Sequence, residues 1–136
     1  MVKLYNFFRS GTSHRLRIAM NLKGLNAEYI AVDLRTEEHL KQAFKSINPQ
    51  GLVPALVVDD HVLIQSPAII EWLEERYPLP ALLPQDPQDR AHVRALAAIV
   101  GCGGQVQPES GLDEGQFEGM RLVGLDHNAP VWERDL

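Results

Sequence analysis

The spacing of apolar positions changes several times along the chain, and each change marks an element. Lys3 to Phe8 is a short run of mostly apolar and aromatic residues, the pattern of a buried strand. Arg9 to His14 is polar and contains Gly11, so it reads as a loop. From Arg15 to Lys23, residues Leu16, Ile18, Ala19, Met20 and Leu22 fit a helix, and Gly24 fits its stop. Tyr29 to Val32 is a second strand. The polar opening Thr36-Glu37-Glu38-His39 starts another helix, with Leu40, Ala43, Phe44 and Ile47 on one face. Ala55 to Val58 and His61 to Ile64 are apolar runs joined by Asp59-Asp60, which predicts a hairpin. Ile69, Ile70, Leu73 and Tyr77 then recur at three and four, predicting a helix from Ser66 to Arg76 that stops before Pro78. Pro78, Pro80, Pro84 and Pro87 make the next stretch a linker. A last helix runs from about Pro87 to Val100, where Gly101-Cys102-Gly103-Gly104 ends it. From Gly103 onward neither period is sustained, and the segment reads as disordered or loosely held.

The predicted order is β-α-β-α-β-β-α. A β-α-β unit needs a parallel pair, and a hairpin needs an antiparallel one. The fold class is therefore α/β: a four-stranded mixed sheet flanked by helices, about eighty residues in one small domain. Residues 1–80 form that domain, 81–102 the linker and one further helix, and 103–136 a divergent tail.

Charge sharpens this division. Net charge is -5, yet residues 1–100 hold 11 basic and 11 acidic side chains. The imbalance lies in residues 101–136, with two basic and seven acidic residues and seven of the ten glycines. No basic stripe points to nucleic acid. The N-terminus lacks the apolar segment of a signal peptide, and no run reaches membrane-spanning length. The single cysteine, Cys102, allows no internal disulfide framework, so the cytoplasm is the expected compartment. The five histidines show no metal-ligand spacing, and no metal is expected.

Two stretches carry candidate chemistry. Gln50-Gly51-Leu52-Val53-Pro54-Ala55-Leu56 puts a proline at the mouth of a strand, where it cannot donate to a ladder. A fixed turn is expected there, with a cis Val53–Pro54 bond. Gln65-Ser66-Pro67 reads as a helix start, with Ser66 as N-cap and Pro67 in the first helical position. Free N–H groups beside a hydroxyl make a carboxylate site. Together they suggest a small acidic ligand held largely by backbone. Alone, Ser66 reads equally as an ordinary cap, as do Ser10, Thr12 and Ser13 before the first helix. Arg15 and Arg17 lie two apart and face different sides, one toward solvent and one in a structural salt bridge.

The order of elements, the proline before the third strand and Gln65-Ser66 at the last helix resemble the thioredoxin-like N-terminal domain of cytosolic glutathione transferases. The loop Arg9-Ser10-Gly11-Thr12-Ser13-His14-Arg15-Leu16-Arg17 looks like the zeta class, whose pattern is Ser-Ser-Cys before a helix with two arginines. That class includes maleylacetoacetate isomerases and glutathione-dependent maleylpyruvate isomerases. The resemblance covers residues 1 to about 102. It implies glutathione as co-substrate and a maleyl dicarboxylate, maleylpyruvate or maleylacetoacetate, as substrate. Cis-trans isomerisation comes about by addition of the thiolate to the double bond, rotation and release, in the catabolism of aromatic compounds. Ser10 and Thr12 are then the catalytic hydroxyls that favour the thiolate. Gln50, Val53, Pro54, Gln65 and Ser66 hold glutathione, and Arg9 meets the dicarboxylate.

Two departures qualify the resemblance. Gly11 and Thr12 replace the second serine and the cysteine of the pattern. After Gly101-Cys102 the family continues through a helical domain, while this chain has unrelated glycine-rich text. The helix within residues 81–102 then corresponds to the first helix of a truncated all-α domain. The chain reads as a frameshifted or truncated member, or a divergent short form, with impaired activity and an uncertain share in the family's homodimer. The rivals are a general glutathione transferase and a non-catalytic binding module on the same fold. A disulfide reductase is disfavoured because the chain has no Cys-x-x-Cys.

Overall fold

A computed structural model of the protein describes residues 1–103. Residues Met1–Gly101 form one compact unit. Four strands, β1 (Val2–Asn6), β2 (Glu28–Ala31), β3 (Ala55–Val58) and β4 (His61–Ile64), make one sheet in the order β2-β1-β3-β4. Among the described residues four α-helices accompany them: α1 (Gly11–Leu22), α2 (Gln42–Lys45), α3 (Ser66–Arg76) and α4 (Pro87–Gly103). β1 and β2 are parallel, with Leu4 beside Tyr29. β3 is antiparallel to both β1 and β4, with Leu56 between Leu4 and Leu63. The expected mixed sheet is present, and the hairpin turns at Asp59 with φ 53.

The alternation along β1 and β3 sends side chains to two cores. On one face Leu4 and Leu56 pack with Leu16 and Met20 of α1 and Ile69 and Leu73 of α3, all of them buried. On the other face Phe7, Val32, Phe44, Val53 and Ala55 form a second cluster under residues 34–47. The sheet is thus covered on both sides, as its apolar strands require.

Among the helices, three expected bounds differ from the structure. First, α1 starts at Gly11, inside the stretch read as loop, because the Ser10 hydroxyl accepts from the Ser13 amide and caps it. Second, the helix expected from Thr36 is broken into 3-10 turns at Leu34–Thr36 and Glu38–Leu40 followed by the single turn of α2. Local side-chain bonds outcompete the helix there. Asp33 caps the first turn through the Arg35 amide, and the Glu38 carboxylate accepts the Asp33 amide at 2.7 Å. Glu37 is left at φ 55 between the turns. Third, α4 does not end at Val100 but continues through Gly101 to Gly103. Apart from Gly103, the tail expected over residues 103–136 lies outside the described residues.

The proline linker is anchored from within. The Lys23 ammonium, 0% exposed, meets the Glu74 carboxylate at 2.6 Å and donates to the carbonyls of Tyr77 and Pro80. Glu74 in turn accepts the amides of Leu82 and Leu83. α4 is tied to α3 by the paired bonds of Arg94 to Glu71. Leu96, Ile99 and Val100 are exposed on α4. Leu96 and Val100 line a largely apolar groove of about 760 Å³ between α1, α3 and α4.

Candidate functional site

Strand register explains why distant segments meet. Ala55, at the start of β3, lies between Tyr5 of β1 and Ile64 of β4. The chain leaving β1 enters the Phe7–Ser10 loop and α1, and the chain leaving β4 enters Gln65 and α3. Val53 and Pro54 therefore sit between two helix starts at one end of the sheet. The Val53–Pro54 peptide is cis, as expected; Leu79–Pro80 is also cis, which the sequence did not suggest.

Side-chain bonds knit this end together. Thr12 Oγ1 donates to the Val53 carbonyl at 2.9 Å. Ser10 Oγ lies 2.8 Å from Thr12 Oγ1. Gln65 Nε2 donates to Gln50 Oε1 at 2.9 Å, joining the proline loop to the start of α3. Gly51 turns that loop with φ 65, and a Cβ there would lie 3.0 Å from the His39 carbonyl. The conformation and the space both call for glycine.

The start of α3 differs in detail from the expectation. Ser66 is not the N-cap: it occupies the first helical position, and Gln65 is the cap, at φ 68 and without a side-chain capping bond. Pro67 moves one place along. The early amides of the helix, with none from Pro67, are thus left uncapped by a side chain. Ser66 itself is only 3% exposed, so its hydroxyl is presented from a fixed wall. Uncapped N–H groups with a hydroxyl at a helix start suit a carboxylate.

The remaining candidates are spread around this centre. Arg9 lies in the loop before α1 and is exposed. Arg17 bonds to Asn6 Oδ1 at 2.8 Å and to the Phe8 carbonyl, so it braces that loop. Among the described residues neither Arg15 nor Arg17 forms the expected salt bridge. Arg35 lies over the Phe8 ring, and its bonds to Asp33 hold that carboxylate down at about 2.

Two residues that shape this end were not evident in the sequence. Asn48, 1% exposed, donates to the Leu52 carbonyl and accepts the Gln50 amide, so it shapes the proline loop from beneath. Its signal was the Asn48-Pro49 pair, a turn-forming dipeptide. His39 packs against Gly51 through its backbone, and its Nδ1 is buried with no partner among the described residues. No sequence pattern distinguishes it from the other histidines. No group of His, Cys, Asp or Glu among the described residues could hold a metal ion. Nor is any described helix long and apolar enough to cross a membrane.

Residues 9–76 match the family model described as glutathione S-transferase, N-terminal domain. The chain belongs to that family. Over 101 residues it is 73% identical to the maleylpyruvate isomerase of a Ralstonia species, an overlap of 74% of this chain and 48% of that one. Over 104 residues it is 56% identical to the maleylacetoacetate isomerase of Pseudomonas aeruginosa, covering 74% and 49%. The chain spans about half the length of these curated relatives. In three dimensions it resembles a holo maleylpyruvate isomerase, described as a bacterial zeta-class glutathione S-transferase, with TM-score 0.72 and 74% identity. That match covers 74% of this chain and 47% of the other. It also resembles a maleylacetoacetate isomerase of Methylobacterium extorquens with bound malonate and glutathione. There the TM-score is 0.71 and the identity 46%, over 74% and 47% of the two chains. The expected thioredoxin-like domain and zeta-class kinship are thereby established.

Proposed function

We propose that this chain provides the glutathione-binding half of a glutathione-dependent cis-trans isomerase acting on a small maleyl dicarboxylate. The observation that carries this reading is the meeting of the Val53–Pro54 turn, the start of α1 and the uncapped start of α3 at one end of the sheet. An acidic peptide needs hydrogen-bond donors for its carboxylates and backbone to pair with, and these residues fit that need. Ser66, its amide and Gln65 would hold the γ-glutamyl end. The Val53 backbone would pair, strand-like, with the peptide, and Gln50 would support Gln65. The likeness to a maleylacetoacetate isomerase carrying glutathione and malonate supports both ligand classes.

When bound, glutathione supplies a thiolate that adds reversibly to the substrate double bond. An ordinary thiol, near 8.5, is mostly protonated at neutral pH. The start of α1 and the Ser10 hydroxyl beside it would favour the anion and lower that value. Arg9 is the cation nearest in sequence to Ser10 and would meet a substrate carboxylate. The reading includes a cytoplasmic protein and association with a second copy.

Titration calorimetry of the purified protein with glutathione at millimolar concentration tests the binding claim. An isomerase assay with a maleyl substrate, with glutathione measured before and after, tests the chemistry. Binding together with isomerisation and no net loss of glutathione is expected. Absence of heat overturns the site, and consumption of glutathione in step with product shows a conjugating transferase instead.

A further inference from the structure

Counting protons on the hydroxyls at this site separates their roles. A hydroxyl has one proton to donate, and a carbonyl can only accept. Thr12 Oγ1 lies 2.9 Å from the Val53 carbonyl, so its proton is committed there. The 2.8 Å contact between Ser10 Oγ and Thr12 Oγ1 then has one consistent direction: Ser10 donates and Thr12 accepts. Ser10 Oγ also accepts the Ser13 amide at 3.2 Å, which leaves its proton as the movable one. The chain of bonds runs from Ser10 through Thr12 to Val53. It spans 41 residues in sequence between Thr12 and Val53 and links the first turn of α1 to the proline turn.

We propose that Thr12 is a positioning residue that holds the Val53–Pro54 turn in place, and not a donor to the glutathione sulfur. This rests on the glutathione-binding reading above. Ser10 can turn its proton from Thr12 toward an incoming sulfur and lose one neutral bond while gaining one to an anion. Thr12 could do so only by releasing the Val53 carbonyl, and with it the tie between the two segments that the peptide would have to bridge. The two hydroxyls therefore act on different quantities, Ser10 on the acidity of the bound thiol and Thr12 on the binding of the peptide. Gly11 between them, with no side chain, contributes to neither.

Three variants read this out: Ser10→Ala, Thr12→Val and Thr12→Ser. Calorimetry gives glutathione affinity, and thiolate absorbance against pH gives the titration of the bound thiol. One unit of titration corresponds to a tenfold change, about 1.4 kcal/mol, in the balance between thiol and thiolate. Ser10→Ala is expected to raise the bound thiol's titration by about one unit or more. Thr12→Val is expected to weaken binding roughly five- to tenfold with no upward move of that titration, and Thr12→Ser to restore the affinity. In the ligand-free protein labelled at valine carbonyls, the Val53 resonance should move upfield in Thr12→Val and return in Thr12→Ser. A rise of the titration in Thr12→Val as large as in Ser10→Ala overturns the assignment, as does unchanged affinity in that variant. If the unaltered protein binds no glutathione, the functional reading fails. The valine resonance then still decides the tie itself, and an unmoved signal rejects it.

Discussion

Replacing Lys23 by methionine should do more damage than any other single exchange of a charged residue in this domain. Its ammonium uses all three protons, on Glu74 at 2.6 Å, Tyr77 at 2.7 Å and Pro80 at 3.0 Å. Methionine keeps the length and removes every donor. Two linker carbonyls lose a partner, and a carboxylate that is 10% exposed loses its counter-charge. Removing one partner of a buried pair costs about 3–5 kcal/mol. At about 4–8 °C per kcal/mol for a domain of this size, the melting temperature should fall by about 12 °C or more. Urea unfolding of the single variant measures the free energy. Adding Glu74→Gln should recover part of the loss, because the amide still accepts from Leu82 and Leu83 but carries no charge. The pH dependence has a defined sign. Burial pushes Glu74 up, but Lys23 and the amides of Leu82 and Leu83 outweigh it and hold the carboxyl below its ordinary value. Its contribution is complete above about pH 4.3 and is lost as pH falls through the lower folded value. Without Lys23 that loss should move to higher pH. A loss under about 1 kcal/mol for Lys23→Met, well short of the range for a buried pair, or a double variant weaker than the single, would refute the reasoning.

Ser66→Ala should weaken glutathione binding by about 1.5–3 kcal/mol, the worth of a bond to a charged group, and leave the melting temperature nearly unchanged because Ser66 does not cap α3. Calorimetry on the folded variant checks it, and equal affinity removes Ser66 from the site. Gly51→Ala places a Cβ at φ 65 and 3.0 Å from the His39 carbonyl, so it should cost about 1–2 kcal/mol by thermal unfolding. The Asp33 carboxyl should titrate at about 2 by carbon NMR, and Arg35→Ala should return it toward about 3.9, because the Arg35 bond is the main cause of the depression. Its small stabilising effect is present above about pH 3.9 and fades as pH falls through about 2; a normal titration in the unaltered protein would contradict the ion pair.

The order of elements was legible because each carries its own local signal. Ser66 to Arg76 is bounded by proline near its start and after its end, and the structure gives those bounds. The hairpin is set by two apolar runs around Asp59-Asp60. What failed was residues 34–47, where a helical face was traced through Leu40, Ala43, Phe44 and Ile47. Only Phe44 of that face is buried, and Leu40 is 48% exposed. One anchor does not require a continuous helix, and the Asp33 and Glu38 carboxylates bind nearby amides instead. Periodicity describes a face only when a partner surface extends along it.

The candidate site was legible in its parts but not in its connections. Proline at a strand mouth, a serine at a helix start and a hydroxyl-rich loop are visible one at a time, and each has an ordinary structural use. Ser10 does cap α1, so the plainer reading of that residue holds alongside any chemical one. Thr12 illustrates the limit most sharply. Within its own segment it is one more polar residue in the first turn of a helix. Its meaning depends on the Val53 carbonyl, which reaches it only because β3 lies beside β1 and Pro54 bends the entry to that strand. Asn48 was missed for a related reason, since its bonds bend back onto Gln50 and Leu52 and leave no periodic trace. A single sequence therefore identifies which residues could serve a ligand, while the division of work between neighbours, such as Ser10 and Thr12, is set by where each proton must go.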